Sequence, residues 1–165
     1  MLTRSKKRRS ETFIYSSTYV PRDVINVQVV SAVRKIKNRA FSQCSQLMNV
    51  RIDEGIEEIG ASAFADCNSL DCIDIPSSVK KICERAFYSC LHLKNVELPK
   101  GLKSIGEYAF WNCKSLLDIV IPPLVKVIPQ FAFDGCSELR NVTLPKELRK
   151  LEYEAQGRWP FTVKG

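Results

Sequence analysis

Residues Ala86–Phe110 read AFYSCLHLKNVELPKGLKSIGEYAF, and the final two letters restart the first two after 23 positions. Working outward from this stretch, phenylalanine recurs at Phe41, Phe64, Phe87, Phe110 and Phe133, each preceded by alanine. Cysteine follows three positions later every time, at Cys44, Cys67, Cys90, Cys113 and Cys136. Behind it come Leu47, Leu70, Leu93, Leu116 and Leu139, and then two further apolar columns exemplified by Ile73 and Ile75. A period of this size marks a solenoid, in which each tile is too small to bury its own apolar face and must stack on its neighbours.

Within a tile, the alternation around Ile73 and Ile75 predicts a short strand. Pro76, Pro99, Pro122 and Pro145 directly after it end that strand, because proline has no N–H to give a ladder. Val79 and Ile82 with their equivalents predict a second short strand. The Ala-Phe-x-x-Cys portion places apolar residues at spacings that suit a short helical turn. Eight inward positions per tile, such as Ala63, Phe64, Cys67, Leu70, Ile73, Ile75, Val79 and Ile82, form the expected core. Subtracting one period from the first tile lands on Val24, Val27, Val29, Val33 and Ile36, so a partial tile without the Phe and Cys signature precedes the full ones. Phe13, Ile14, Tyr15 and Tyr19 crowd before it and are expected to cover its open end.

The expected organisation is a basic, disordered tail over residues 1–12, a solenoid over 13–155, and a terminal cap or tail over 156–165, where Trp159 and Phe161 are the shielding candidates. The 25 Lys and Arg against 18 Asp and Glu give a net charge of +7. Five of those positives, Arg4, Lys6, Lys7, Arg8 and Arg9, lie in the first ten residues with no acid among them, so 7 − 5 leaves +2 for the rest. The basic signal thus belongs to the tail. The apolar run from Ile119 to Val125 is broken by Pro122 and Pro123 and falls far below the roughly 20 residues of a membrane helix. The basic start leads into Phe13, Ile14 and Tyr15 and then polar Ser16, Ser17 and Thr18, which is no secretory h-region. The expectation is a soluble protein of a reducing intracellular compartment, cytoplasmic or nuclear.

These repeats resemble the BspA-type branch of the leucine-rich repeat superfamily from about Val24 to Ala155, with Ser104-Ile-Gly-Glu-Tyr-Ala-Phe-Trp111 matching its motif closely. The asparagine that commoner leucine-rich repeats place after the strand is replaced here by Gly55, Ser78, Gly101, Leu124 and Glu147, so their asparagine ladder is not expected. The resemblance implies an α/β leucine-rich repeat solenoid, mostly β, with a parallel sheet on the concave face, short second strands and short helical turns. It also implies a curved scaffold that binds other macromolecules, with no active site to carry over.

The chemistry-bearing side chains agree with a non-catalytic reading. Aligned cysteines with parallel side-chain vectors do not converge as a zinc site requires, and read as buried structural thiols. Cys72 and Cys83 lie off the column, Cys72 at an outward strand position between Asp71 and Asp74. His92, the single histidine, occupies a variable surface position while Cys90 points inward, so no nucleophile and base pair forms. No metal-ligand spacing or phosphate-cradling glycine loop is present, and no cofactor is expected.

The outward strand columns are the candidate partner-binding residues. One reads Asn26, Asn49, Cys72, Asn95, Asp118 and Asn141, nearly uniform and able to hydrogen-bond amide to amide. Its neighbour reads Gln28, Arg51, Asp74, Glu97, Val120 and Thr143 and varies from tile to tile, as a recognition face would. The leading expectation is a protein–protein interaction module that presents this concave face. The alternative is a nuclear, nucleic-acid-associated protein acting through Lys6, Lys7, Arg8 and Arg9.

Overall fold

The computed structural model describes residues 12–16, 19–152 and 162–164. Each tile contributes one strand to a concave parallel face and one shorter strand to a second parallel face. The concave strands are β1 (Thr12–Tyr15), β2 (Asn26–Val29), β4 (Asn49–Ile52), β6 (Cys72–Asp74), β8 (Asn95–Glu97), β10 (Asp118–Val120), β12 (Asn141–Thr143) and β14 (Thr162–Lys164). The second set is β3 (Lys35–Ile36), β5 (Glu58–Ile59), β7 (Lys81–Ile82), β9 (Ser104–Ile105), β11 (Val127–Ile128) and β13 (Lys150–Leu151). Among the described residues the hydrogen-bonded ladder of each face is divided once, between β4 and β6 and between β9 and β11. The register is the sequence period itself: Val27 pairs Val50, and Ile73 pairs Val96.

Strand alternation decides what faces inward. In β4, Val50 and Ile52 are buried while Asn49 and Arg51 are exposed, and β6, β8, β10 and β12 repeat that pattern. After β6, β8, β10 and β12 the proline carbonyl accepts the N–H three residues on, as in Val79 to Pro76 at 3.1 Å and Leu102 to Pro99 at 2.9 Å. This tight turn aims Val79 and Leu102 back into the core, where both are fully buried.

The phenylalanine column forms a continuous stack. Ring centroids from Phe41 through Phe64, Phe87, Phe110 and Phe133 are separated by 5.0, 5.4, 5.2 and 5.4 Å, with planes within 10° of parallel. Full burial of each such side chain stabilises by about 1.5 to 3 kcal/mol before the entropy of ordering it is subtracted.

The expected short helical turns are replaced by chains of tight turns, and no helix occurs among the described residues. Two residues per tile take left-handed backbone, the one before alanine (Ser62, φ 54°) and the one before cysteine (Asp66, φ 61°). Alternate N–H groups then point along the solenoid instead of into a local helix. Ser62, Phe64 and Asp66 donate to the carbonyls of Glu84, Ala86 and Tyr88 in the next tile at 2.8 to 2.9 Å. A third ladder of inter-tile hydrogen bonds results, and it satisfies backbone groups that would otherwise be buried unpaired.

At the start of the chain, β1 adds a strand parallel to β2, beginning at Thr12. Tyr15 and Phe13 pack on the core from this strand, as expected of a cover. Ile14 and Tyr19 do not: strand alternation turns Ile14 out to 50% exposure, and Tyr19 is 78% exposed. At the other end β14 pairs with β12 in register, Val142 opposite Val163. The expected disordered tail, residues 1–11 of it, lies outside the described residues, as do Trp159 and Phe161.

Candidate functional site: the concave sheet face

The outward columns stand where the strand period places them. Asn49 Nδ2 donates to Asn26 Oδ1 at 2.8 Å, and Asn141 Nδ2 donates to Asp118 Oδ1. An amide is suited to such a column because it carries both donors and an acceptor. Cys72 interrupts it, having neither a strong donor nor a strong acceptor. At the same place the hydrogen-bonded ladder divides, with β1–β2–β4 on one side and β6 onward on the other.

A hollow of about 420 Å³ lies at this division, lined by Asn26, Gln28, Asn49, Arg51, Cys72 and Asp74 among others. A second of the same volume is lined by Asn95, Glu97, Leu98, Asp118 and Val120. There β8 and β10 share a single register pair, Asn95 with Asp118, where β10 and β12 share three. The two depressions therefore coincide with the two thin places in the concave ladder.

Their chemistry differs. The first joins amides to a cation and an acid: Arg51 reaches Asp53 at 3.6 Å and stays 80% exposed, and Gln28 Nε2 donates to the same Asp53 carboxylate at 3.3 Å. The second sets Glu97 and Asp118 beside Val120, an apolar side chain 62% exposed to water. Thr143 is exposed at the far end of the varied column. Of the named candidates, Lys6, Lys7, Arg8 and Arg9 lie outside the described residues.

The cysteine column is buried, and its thiols are more than small apolar fillers. Cys67, Cys90, Cys113 and Cys136 donate their thiols to the carbonyls of Phe41, Phe64, Phe87 and Phe110 at 3.1 to 3.2 Å. The carbonyls of Phe41, Phe64 and Phe87 also accept the N–H of the cysteine three residues on, at 3.0 to 3.3 Å, so both lone pairs are occupied. The thiol ladder thereby does in this solenoid what a buried amide ladder would do, tying successive tiles through the backbone. Burial pushes these thiols up, to about 12 for Cys136. Cys83, half-buried and donating to Glu58 Oε1 at 3.0 Å, is raised to about 11, first by burial and then by that carboxylate. His92 is exposed against the Asn68 carbonyl while Cys90 is buried, so the two do not form a catalytic pair. Among the described residues no three His, Cys, Asp or Glu side chains gather as a metal site would require.

Reactivity should follow that division of the thiols. Under native conditions near pH 8, a thiol alkylating reagent is expected to modify Cys72 fast, Cys83 slowly, and the five column cysteines only on unfolding, read by mass spectrometry of peptides. Because the column thiols are held protonated above their usual value of 9.0, their contribution is complete below that pH and fades as the pH rises above it. Prompt native labelling of Cys90 would contradict the buried column.

A family model of the BspA type leucine-rich repeat region matches in six copies, over residues 12–128 and 64–156. The chain belongs to that family. The solved structures that this BspA-type chain resembles include bacterial leucine-rich repeat proteins. The leucine-rich repeat protein of T. pallidum is 30% identical with a TM-score of 0.70, over 76% of this chain and 67% of that one. The pneumococcal vaccine antigen PcpA is 25% identical at a TM-score of 0.69, over 82% of this chain and 33% of that one. A leucine-rich repeat protein of Bacteroides ovatus, 19% identical at a TM-score of 0.67 over 91% of this chain and 46% of that one, shares the fold. The BspA-type chain thus spans half or less of the length of these last two. A search of the curated proteins finds no match.

Proposed function

We propose that this BspA-type solenoid is a non-catalytic protein-binding module whose concave face grips a partner across the two hollows. The observation that carries the reading is the pairing of a regular core with irregular outward positions: Arg51, Asp74, Glu97 and Val120 differ in charge and size although their buried neighbours barely vary. Val120, 62% exposed beside Glu97 and Asp118, adds an apolar contact to a face otherwise polar.

The triple variant Arg51→Ala, Asp74→Ala, Glu97→Ala should abolish partner capture from the native cell, because a few central side chains carry most of the energy of such an interface. All three are exposed, so the melting curve should match the parent. Capture of the same proteins by parent and variant would move the binding surface off the concave face.

A further inference from the structure

We propose that the second-sheet face of the later tiles docks on an anionic lipid bilayer. The column just before the second strand reads Arg34, Glu57, Lys80, Lys103, Lys126 and Arg149. Its first two members neutralise each other in an ion pair of 3.0 Å. The next four are all cations, and none has a carboxylate partner among the described residues. They are stacked tile on tile: the N–H of Lys103 donates to the Lys80 carbonyl and that of Arg149 to the Lys126 carbonyl, each at 2.8 Å. Neighbouring like charges in register repel, and nothing in the core requires them there. Lys100 and Lys146 extend the patch from the preceding turn, both exposed.

Carboxylates on this face are few. Glu58 is engaged by Lys35 at 2.7 Å, Glu84 by Arg85 and Glu152 by Lys150 at 2.9 Å, which leaves exposed Glu147 inside the patch and exposed Glu107 just past β9 as the contrary charges. The ammonium groups of Lys80 and Lys126 rest on the carbonyls of Ser77 and Pro123 at 3.2 and 2.8 Å, and so stay at the rim.

Two apolar side chains decide between polyanions. Leu124 and Val127 flank Lys126 and are 46% and 39% exposed. In the equivalent positions the adjoining tiles carry Gly101 and Glu147, and Ser104 and Lys150, so this is a local apolar spot on either side of Lys126 in a column whose neighbours are Lys103 and Arg149. A phosphodiester duplex offers nothing apolar to such a spot along its charged backbone. A bilayer offers both, an anionic headgroup layer for the cations and an acyl boundary for Leu124 and Val127. The face lies apart from the concave columns, so the proposal stands or falls independently of the protein-binding reading.

The 165-residue protein is sedimented with vesicles of equimolar phosphatidylcholine and phosphatidylserine, and with pure phosphatidylcholine. Binding should require phosphatidylserine and weaken with salt. Each cation removed should cost about fivefold, so Lys80→Gln, Lys103→Gln, Lys126→Gln, Arg149→Gln together should weaken partition by about six hundredfold. Leu124→Ser with Val127→Ser should weaken it by about tenfold while leaving the salt dependence unchanged. The variant Lys6→Gln, Lys7→Gln, Arg8→Gln, Arg9→Gln separates the tail from the face. The proposal is overturned if the face variants, folded by their melting curves, bind like the parent while the tail variant does not. It is equally overturned if neutral vesicles bind as well, if no vesicle binds, or if duplex DNA at the same salt displaces the protein from the vesicles through the same four cations.

Discussion

Phe87→Ala is expected to lower the unfolding free energy by about 3 to 5 kcal/mol, measured by urea denaturation. The ring is fully buried and stacked on both sides, 5.4 Å from Phe64 and 5.2 Å from Phe110. Its removal forfeits transfer free energy and leaves a cavity that the neighbours cannot fill, since their own rings are held in register by backbone bonds on each tile. A solenoid adds a second consequence. Stability is a sum of tile terms and nearest-neighbour interfaces, so damage at a central tile weakens two interfaces and uncouples the halves on either side. The transition should broaden and its apparent slope against urea should fall, as expected when two blocks unfold in sequence. Phe133→Ala removes a ring with one stacked phenylalanine partner and should cost less, without the broadening. A loss below about 1 kcal/mol at Phe87, or equal losses at both sites, would sink the idea that the ring stack couples the tiles.

The core was legible because burial imposes identity at fixed positions: an inward position shared by every tile has the same volume to fill, and the letters show it directly. The outward columns were legible for the complementary reason, strand period. The Ala-Phe-x-x-Cys segment misled because apolar spacing alone does not separate a helix from a chain of tight turns. What separates them is where the N–H groups go, and that depends on the adjoining tile. The residues before cysteine, among them Asp66, Asn112 and Gly135, are types that tolerate left-handed backbone and were a readable hint. Those before alanine, such as Arg85 and Tyr108, have no such preference and are held by inter-tile bonds to the carbonyls of Glu107 and Gln130. Likewise Cys72 in the amide column was visible as an exception, while the division of the sheet beside it was not, since pairing is a property of two strands. The thiol bonds were hidden because a cysteine letter reads first as a small apolar residue.

Tyr15→Ala should cost about 3 to 5 kcal/mol and open the first edge of the solenoid. End tiles lack a neighbour on one side and need a cap, and Tyr15 supplies one from outside the repeat register. Its ring is 1% exposed and lies 4.9 Å from Phe41 at 56°, tilted where the ladder beyond is parallel. Its hydroxyl accepts the Lys37 N–H at 3.1 Å, and its carbonyl accepts the Val30 N–H at 3.3 Å, which ties β1 to the chain on both sides of β3. Tyr15→Phe isolates the hydroxyl and should cost about 1 kcal/mol, the usual net value of one hydrogen bond. Burial pushes the phenol above its ordinary 10.0, opposed by the Lys37 N–H. Its contribution is therefore complete below pH 10 and declines as the pH rises through the folded value, a decline that Tyr15→Phe should remove. With Ala in place β1 loses its anchor, and the edge of β2 is left free to pair with another chain. Amide exchange at residues 26–29 should then quicken well beyond that of the central strands, and size exclusion should show association. A Tyr15→Ala protein with the parent melting temperature and unchanged exchange at β2 would place the cap elsewhere.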